Sequence, residues 1–172
     1  MTAIKFETIW KNYPDDETLC RDKKTGNIPP GYENQCAIRV GYALEKSGVS
    51  FASFRGGRCP SASKNSGMVA SAQDLANWLG PNRFPGCPKP ETYTGKDAFE
   101  KIEDRTGIIF LANYWQRPAD KEKARTGDHI DLWNGSKMTS ALSWIRVHLG
   151  ISWDGYWSDF RLASKVLFWY IA

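Results

Sequence analysis

Cys36 and His129 are the side chains of this 172-residue chain whose type and setting best suit covalent chemistry. Cys36 stands in Asn34-Gln35-Cys36-Ala37-Ile38-Arg39, where a turn runs into an amphipathic helix. His129, one of only two histidines, stands in Gly127-Asp128-His129-Ile130-Asp131-Leu132-Trp133-Asn134-Gly135, an alternating strand that ends in an Asn-Gly turn. A free thiol has a pKa of about 8.5 and is mostly protonated at neutral pH, whereas the thiolate is the nucleophile. A helix N-terminus lowers that pKa through its unpaired N–H groups and dipole. A neighbouring imidazole lowers it further by forming an ion pair. Cys36 has the first by position and needs the second from His129. The amides of the same helix start, that of Cys36 included, can also stabilise a tetrahedral oxyanion, with Gln35 or Asn34 assisting.

Two residues beyond His129, Asp131 projects from the same face of a strand and is placed to orient the imidazole. The alternative for Asp131 is a solvent-facing or hairpin-pairing carboxylate. The second histidine lies in Trp144-Ile145-Arg146-Val147-His148-Leu149, an apolar setting without the polar signature of a base. Arg39 follows Cys36 within one helical turn, where it either meets a substrate carboxylate or is an exposed helix charge. Tyr114-Trp115 and Trp133 are candidates for a substrate groove, although most of the eight tryptophans must serve the core.

The elements that position these residues follow from periodicity and punctuation. Ile4, Phe6, Ile9, Trp10 and Tyr13 fit one face of a short helix stopped by Pro14. Residues 15–35 form a loop with a turn at Pro29-Pro30-Gly31. The helix over 36–47 ends at Gly48, a normal C-terminal glycine, and its small residues Ala37, Gly41 and Ala43 suit close packing against a sheet. A Gly/Ser/Arg loop spans 50–70. Ser71-Ala72-Gln73-Asp74 then caps a helix that runs to Leu79 and stops at Gly80. A Pro-rich loop over 81–92 precedes a short polar helix at 97–104. Residues 107–112 are a continuous apolar, β-branched run, which marks a buried strand. After a charged loop over 117–127 comes the His129 strand, and a two-residue Asn134-Gly135 turn starts a second hairpin strand near Ser136. Residues 142–149 read as helical and 165–171 as a last strand. The fold class is therefore α+β, a single domain over 1–172 with N-terminal helices packed on a later antiparallel sheet.

Composition narrows the function classes. Hydrophobic content of 41%, with eight Trp, seven Tyr and eight Phe, excludes a disordered chain. Twenty-three basic against nineteen acidic residues give a net charge of +4, which suits an anionic partner such as a cell-wall polymer or simply serves solubility. No basic run interleaves with aromatics, so nucleic acid is not an expected partner. No apolar run approaches the roughly 20 residues of a membrane span, so no membrane insertion is expected. The N-terminus lacks the basic and apolar regions of a signal peptide, which points to synthesis in the cytoplasm. Cys20, Cys36, Cys59 and Cys87 show neither CxxC nor CxxH spacing, so no metal or other cofactor is expected. Cys59 and Cys87 each adjoin a proline in a loop and are candidates for a disulfide in an oxidising compartment, with Cys20 as an alternative partner.

A cysteine at a helix start followed much later by a histidine on a strand is the arrangement of papain-like thiol hydrolases. Together the two motifs resemble the fourth family of type VI secretion amidase effectors, within the papain-like NlpC/P60 group. The likeness extends to Ser66-Gly67 and the 73–79 helix, to Thr106-Gly107-Ile108-Ile109-Phe110 and to the C-terminal strand, and so covers most of the chain. The resemblance implies a peptidoglycan amidase that cuts the D-glutamate–meso-diaminopimelate bond with Cys36 as nucleophile. It also implies export by the type VI apparatus into the periplasm of a rival bacterium and neutralisation by a cognate immunity protein. Members of the family pair the histidine with an Asp on the next strand. With a two-residue turn the position facing His129 is Ser140, and residues 136–141 hold no carboxylate. Asp131, Ser140, Asn134 and a backbone carbonyl remain the candidates for the third position.

Overall fold

The computed structural model describes residues 2–14, 18–115, 117, 120–121, 126–139 and 163–172. Helices α1 (Phe6–Lys11), α2 (Cys36–Lys46) and α3 (Ala72–Leu79) come first. They are followed by β1 (Glu91–Tyr93), α4 (Gly95–Ile102), β2 (Gly107–Trp115), β3 (Gly127–Trp133) and β4 (Lys165–Tyr170). The four strands form one antiparallel sheet in the order β1-β4-β2-β3. None of the described helices is long and apolar enough to cross a membrane.

The run in β2 is apolar on both faces because both are covered. Ile108, Phe110 and Ala112 join Ile130, Leu132 and Trp169 in a core shared with Ala37, Val40 and Leu44 of α2 and Leu75 of α3. Ile109 and Leu111 project the other way with Val166 and Phe168, against Ala98 and Ile102 of α4. The sheet is thus sandwiched between α1–α3 and α4. Continuous hydrophobicity in place of alternation is what such double burial requires.

Local signals set the helix ends. Ser71 Oγ accepts from the Asp74 N–H at 3.1 Å, capping α3 as its sequence suggests. α4 begins two residues earlier than the polar segment suggests, behind Thr94. α2 packs by its small residues as expected, but Gly41 meets a loop and not the sheet. A Cβ there would lie 1.8 Å from the Gly67 carbonyl oxygen, and Glu45 accepts from the Gly67 N–H at 2.8 Å.

Three expectations need correction. Residues 91 and 92, read as the end of a loop, belong with Tyr93 to a short edge strand, because they pair with β4 far along the chain (Glu91 opposite Phe168). The disulfide joins Cys59 to its alternative partner Cys20 and not to Cys87, and Cys36 and Cys87 are free. The turn after β3 is two residues longer than an Asn-Gly hairpin: Asn134 N–H donates to the Lys137 carbonyl, and Trp133 bridges to Met138. Asn134 causes this, since its Oδ1 accepts from the N–H groups of Ser136 (3.1 Å) and Lys137 (2.9 Å) and forms an Asx turn. The expected helix at 142–149, with His148 in it, lies outside the described residues.

Candidate active site

Cys36 is the first residue of α2, and its N–H donates to Asn34 Oδ1 at 3.2 Å. Gln35 is clamped from the other side. Its Oε1 accepts from the Cys20 N–H at 2.8 Å and its Nε2 donates to the Cys20 carbonyl at 3.1 Å. Cys20 in turn is tied to Cys59, so the residue before the nucleophile candidate is anchored to a disulfide. That clamp holds the Gln35 carboxamide on the Cys20 backbone by its oxygen and one of its two N–H groups. Asn34 serves the entry to the helix.

β3 is one of the two edge strands of the described sheet, and it lies against α2. There the backbone of Ile130 hydrogen-bonds the Cys36 thiol, and His129 lies beside the sulfur. His129 and Asp131 share a face of β3, both fully buried, with Nε2 and Oδ2 separated by 3.5 Å. Since Nε2 is turned towards Asp131, Nδ1 is the nitrogen left to serve Cys36. The Tyr114 ring packs near the imidazole, with centroids 6.1 Å apart. Asp131 is held by its other oxygen, Oδ1, which accepts from the Leu132 N–H at 2.8 Å and from the Thr139 hydroxyl.

Charge and burial compete strongly here. Burial is the largest influence on His129 and opposes its protonation. Attraction to Asp131 and Cys36 outweighs it and pushes the imidazole pKa up to about 9. Burial is also the largest influence on Cys36 and raises its pKa. Attraction to the His129 imidazole, with help from Ile130 N–H and Arg39, outweighs it and brings the thiol below its ordinary value. Both shifts favour the thiolate–imidazolium pair over two neutral groups. The two ring nitrogens and Asp131 Oδ2 are enclosed without a hydrogen bond of ordinary geometry, so electrostatic attraction couples them.

The structure therefore brings Cys36, His129 and Asp131 together. Asn134 is committed to its turn, and Ser140 lies outside the described residues. Trp133 is core: its Nε1–H donates to the Ile102 carbonyl at 2.9 Å. Tyr114 is buried as well, packed against the sheet on the α4 side. Arg39 is not an exposed helix charge but is 2% exposed.

Two residues at the site escaped the sequence reading. Thr139 supports Asp131, and only the true length of the Asn134 turn would have placed it there. Tyr13, assigned to the apolar face of α1, brings its hydroxyl to Asp131, Arg39, Thr139 and Cys36. Burial and then Asp131 hold its phenol well above the usual value, so it stays protonated. Its position just before Pro14, at the end of a short helix, was the available signal. Among the described residues, no group of three His, Cys, Asp or Glu side chains is arranged to hold a metal ion.

Residues 32–169 match the family of type VI secretion system amidase effector protein 4, Tae4. Solved structures share the fold along the whole chain. A chain from the Tae4/Tai4 effector–immunity system of Salmonella typhimurium is 20% identical over 100% of this chain and 99% of its own, with a TM-score of 0.60. The type VI effector Tae4 of Enterobacter cloacae is 17% identical over 100% of both chains, with a TM-score of 0.59. A chain of the Enterobacter cloacae Tae4–Tai4 complex is 18% identical over 100% of this chain and 99% of its own, with a TM-score of 0.58. No curated protein sequence matches the chain.

Proposed function

The chain belongs to the Tae4 family of type VI secretion amidase effectors, and from that premise we propose that it hydrolyses the peptide stem of peptidoglycan through a cysteine nucleophile. The observation that carries the cysteine mechanism is the buried Cys36–His129–Asp131 line, where burial is overcome and both shifts favour the ion pair. The papain-like reading rests on the same arrangement, a thiol at a helix start facing a histidine on an antiparallel strand.

In this mechanism the Cys36 thiolate adds to the amide carbonyl carbon, and the carbonyl oxygen becomes an oxyanion stabilised by the first-turn amides of α2. The His129 imidazolium gives its proton to the amine nitrogen, the C–N bond breaks and a thioester remains. The neutral imidazole then takes a proton from water, and the hydroxide adds to the thioester carbon. The C–S bond breaks, which releases the acid and restores the thiolate–imidazolium pair. Asp131, fixed by Thr139, keeps Nε2 occupied so that Nδ1 faces the sulfur throughout.

The bond proposed is D-glutamyl–meso-diaminopimelate, cut in the periplasm of a target bacterium after delivery by the type VI apparatus. Solved Tae4 relatives are described in complex with the immunity protein Tai4. By analogy, a cognate immunity protein is proposed to neutralise this chain in the cell that makes it.

Mass spectrometry of soluble muropeptides, after incubation of purified sacculi with wild type and Cys36→Ala, tests the reading. Cleavage at that bond by wild type alone supports it. Intact sacculi alongside digested casein would move the substrate to protein. A folded wild type that cleaves neither would overturn the enzymatic reading.

A further inference from the structure

Arg39 lies three residues along α2 from Cys36 and so shares its helix face. It is 2% exposed, and its Nε and Nη1 are enclosed without any hydrogen-bond partner. Among the described residues the two ion pairs are Arg105–Glu91 and His129–Asp131, and neither involves Arg39. Buried charges are ordinarily paired, because removal from water penalises them heavily. A guanidinium paired with its own carboxylate would be neutralised there. One without a private partner leaves its charge available to whatever it is buried beside.

What it is buried beside is the catalytic cluster proposed above. From β3 come His129 and Asp131, from the end of α1 comes the Tyr13 hydroxyl, and from β2 the Tyr114 ring packs on the imidazole. Tyr13 remains a neutral phenol and contributes no charge. Once the thiol and imidazole form an ion pair, Cys36, His129 and Asp131 together carry two negative charges and one positive. That net negative charge would be buried. Arg39 brings the sum to zero.

We propose that Arg39 is the counter-ion of the Cys36–His129–Asp131 cluster, a positioning residue whose unpaired buried charge lets Cys36 and Asp131 be ionised together. This inference rests on Cys36 being the nucleophile. Its test, however, involves no amide substrate. Loss of the cation raises the thiol and the imidazole pKa together, so the whole window in which the ion pair exists moves to higher pH. A merely structural loss would lower the amplitude and leave the window in place.

The measurement is the rate of Cys36 alkylation by iodoacetamide against pH, with the modified residue mapped by mass spectrometry and folding checked by circular dichroism. In Arg39→Gln the acid limb is expected to move up by about one pH unit, which makes alkylation about tenfold slower at a fixed pH on that limb. Arg39→Lys keeps the charge and is expected to hold the wild-type limb. Should the Gln variant not fold, Arg39→Gln combined with Asp131→Asn decides the matter, since it removes one charge of each sign. That double variant is expected to regain the fold, as read by circular dichroism; its alkylation limb is not compared, because Asp131 also holds the proton on His129. An unmoved limb in a folded Gln variant, equal shifts in Gln and Lys, or a double variant that fails to fold would overturn the proposal. None of these results touches stem cleavage by wild type, so the functional reading stands or falls separately.

Discussion

Cys36 and Cys87 are both free and both buried, yet their thiols are driven in opposite directions. Cys87 sits in the proline-rich loop 82–88, where burial is the largest influence and raises its pKa. The backbone of Arg83 and Phe84 and the charge of Arg83 do not compensate. Arg83 is exposed, so water screens its charge. Cys36 is buried to much the same extent but faces an imidazole, a strand-edge amide and an enclosed guanidinium. Burial alone makes a cysteine inert. Burial beside a charge that water cannot screen favours its thiolate.

The sharpest break in this comparison is deletion of each thiol in turn. Cys36→Ala is expected to lower stem cleavage by at least about a thousandfold, as loss of a nucleophile does elsewhere. Cys87→Ala is expected to leave kcat within about twofold, since its mild core vacancy lies away from the chemistry. Comparable losses in both, measured on folded protein, would mean that neither thiol is the nucleophile. Next in size is His129→Gln, which should turn Cys36 into a second Cys87. Without the imidazole, burial prevails, and iodoacetamide alkylation at neutral pH should fall by at least about tenfold. Retained reactivity would show that the helix start and Arg39 suffice without His129.

The features that separate the two cysteines were unevenly legible in the sequence. The Cys36 helix start and the His129 strand were readable because their signals are local: a turn before an amphipathic run, and alternation ending at Asn134-Gly135. The strand at 107–112 was readable because double burial writes a continuous apolar run. The partners of the site were not, since they arrive from elsewhere in the chain. Arg39 looks like any helix arginine until α1 and β3 close over it. The pairing of Cys20 with Cys59 depends on how two irregular loops pack, with Gln35 bridging one of them to the site. The length of the turn after β3 depends on a side chain, Asn134 Oδ1, capturing two amides, and the expected two-residue turn missed Thr139 for that reason.

Thr139 offers a smaller perturbation of the same contrast. Its hydroxyl donates to Asp131 Oδ1, one of two donors that fix the carboxylate. A hydrogen bond to a charged group contributes about 1.5–3 kcal/mol, so Thr139→Val should lower kcat by roughly tenfold, with KM nearly unchanged. Thr139→Ser keeps the donor and should restore most of the loss. If Val and Ser behave alike, methyl packing and not the hydrogen bond is what Thr139 supplies.

The smallest effect concerns stability against pH. His129 is held at about 9 in the fold, against about 6.5 in the unfolded chain. Its contribution is therefore fully present below about 6.5 and is lost as pH rises through about 9. Cys36 is lowered in the fold, so its contribution is present above the unfolded value of about 8.5 and is lost as pH falls through the folded value. Across the interval between, the fold keeps a proton on His129 that the unfolded chain has released. The lowered Cys36 thiol gives up its proton at a lower pH in the fold than in the unfolded chain, which works in the opposite sense. The two differences offset in part, so wild-type stability from urea unfolding should fall less steeply between about pH 7 and 8 than that of a variant without the thiol. Cys36→Ala removes one side of that balance while Asp131 still holds His129 up, so its stability should fall more steeply as pH rises through the same interval. Cys87 is raised in the fold and acts only near and above its unfolded value, so Cys87→Ala should track wild type there. A Cys36→Ala curve no steeper than that of wild type would mean that His129 is neutral at pH 7, and the contrast between the two cysteines would then have to rest on something other than an ion pair.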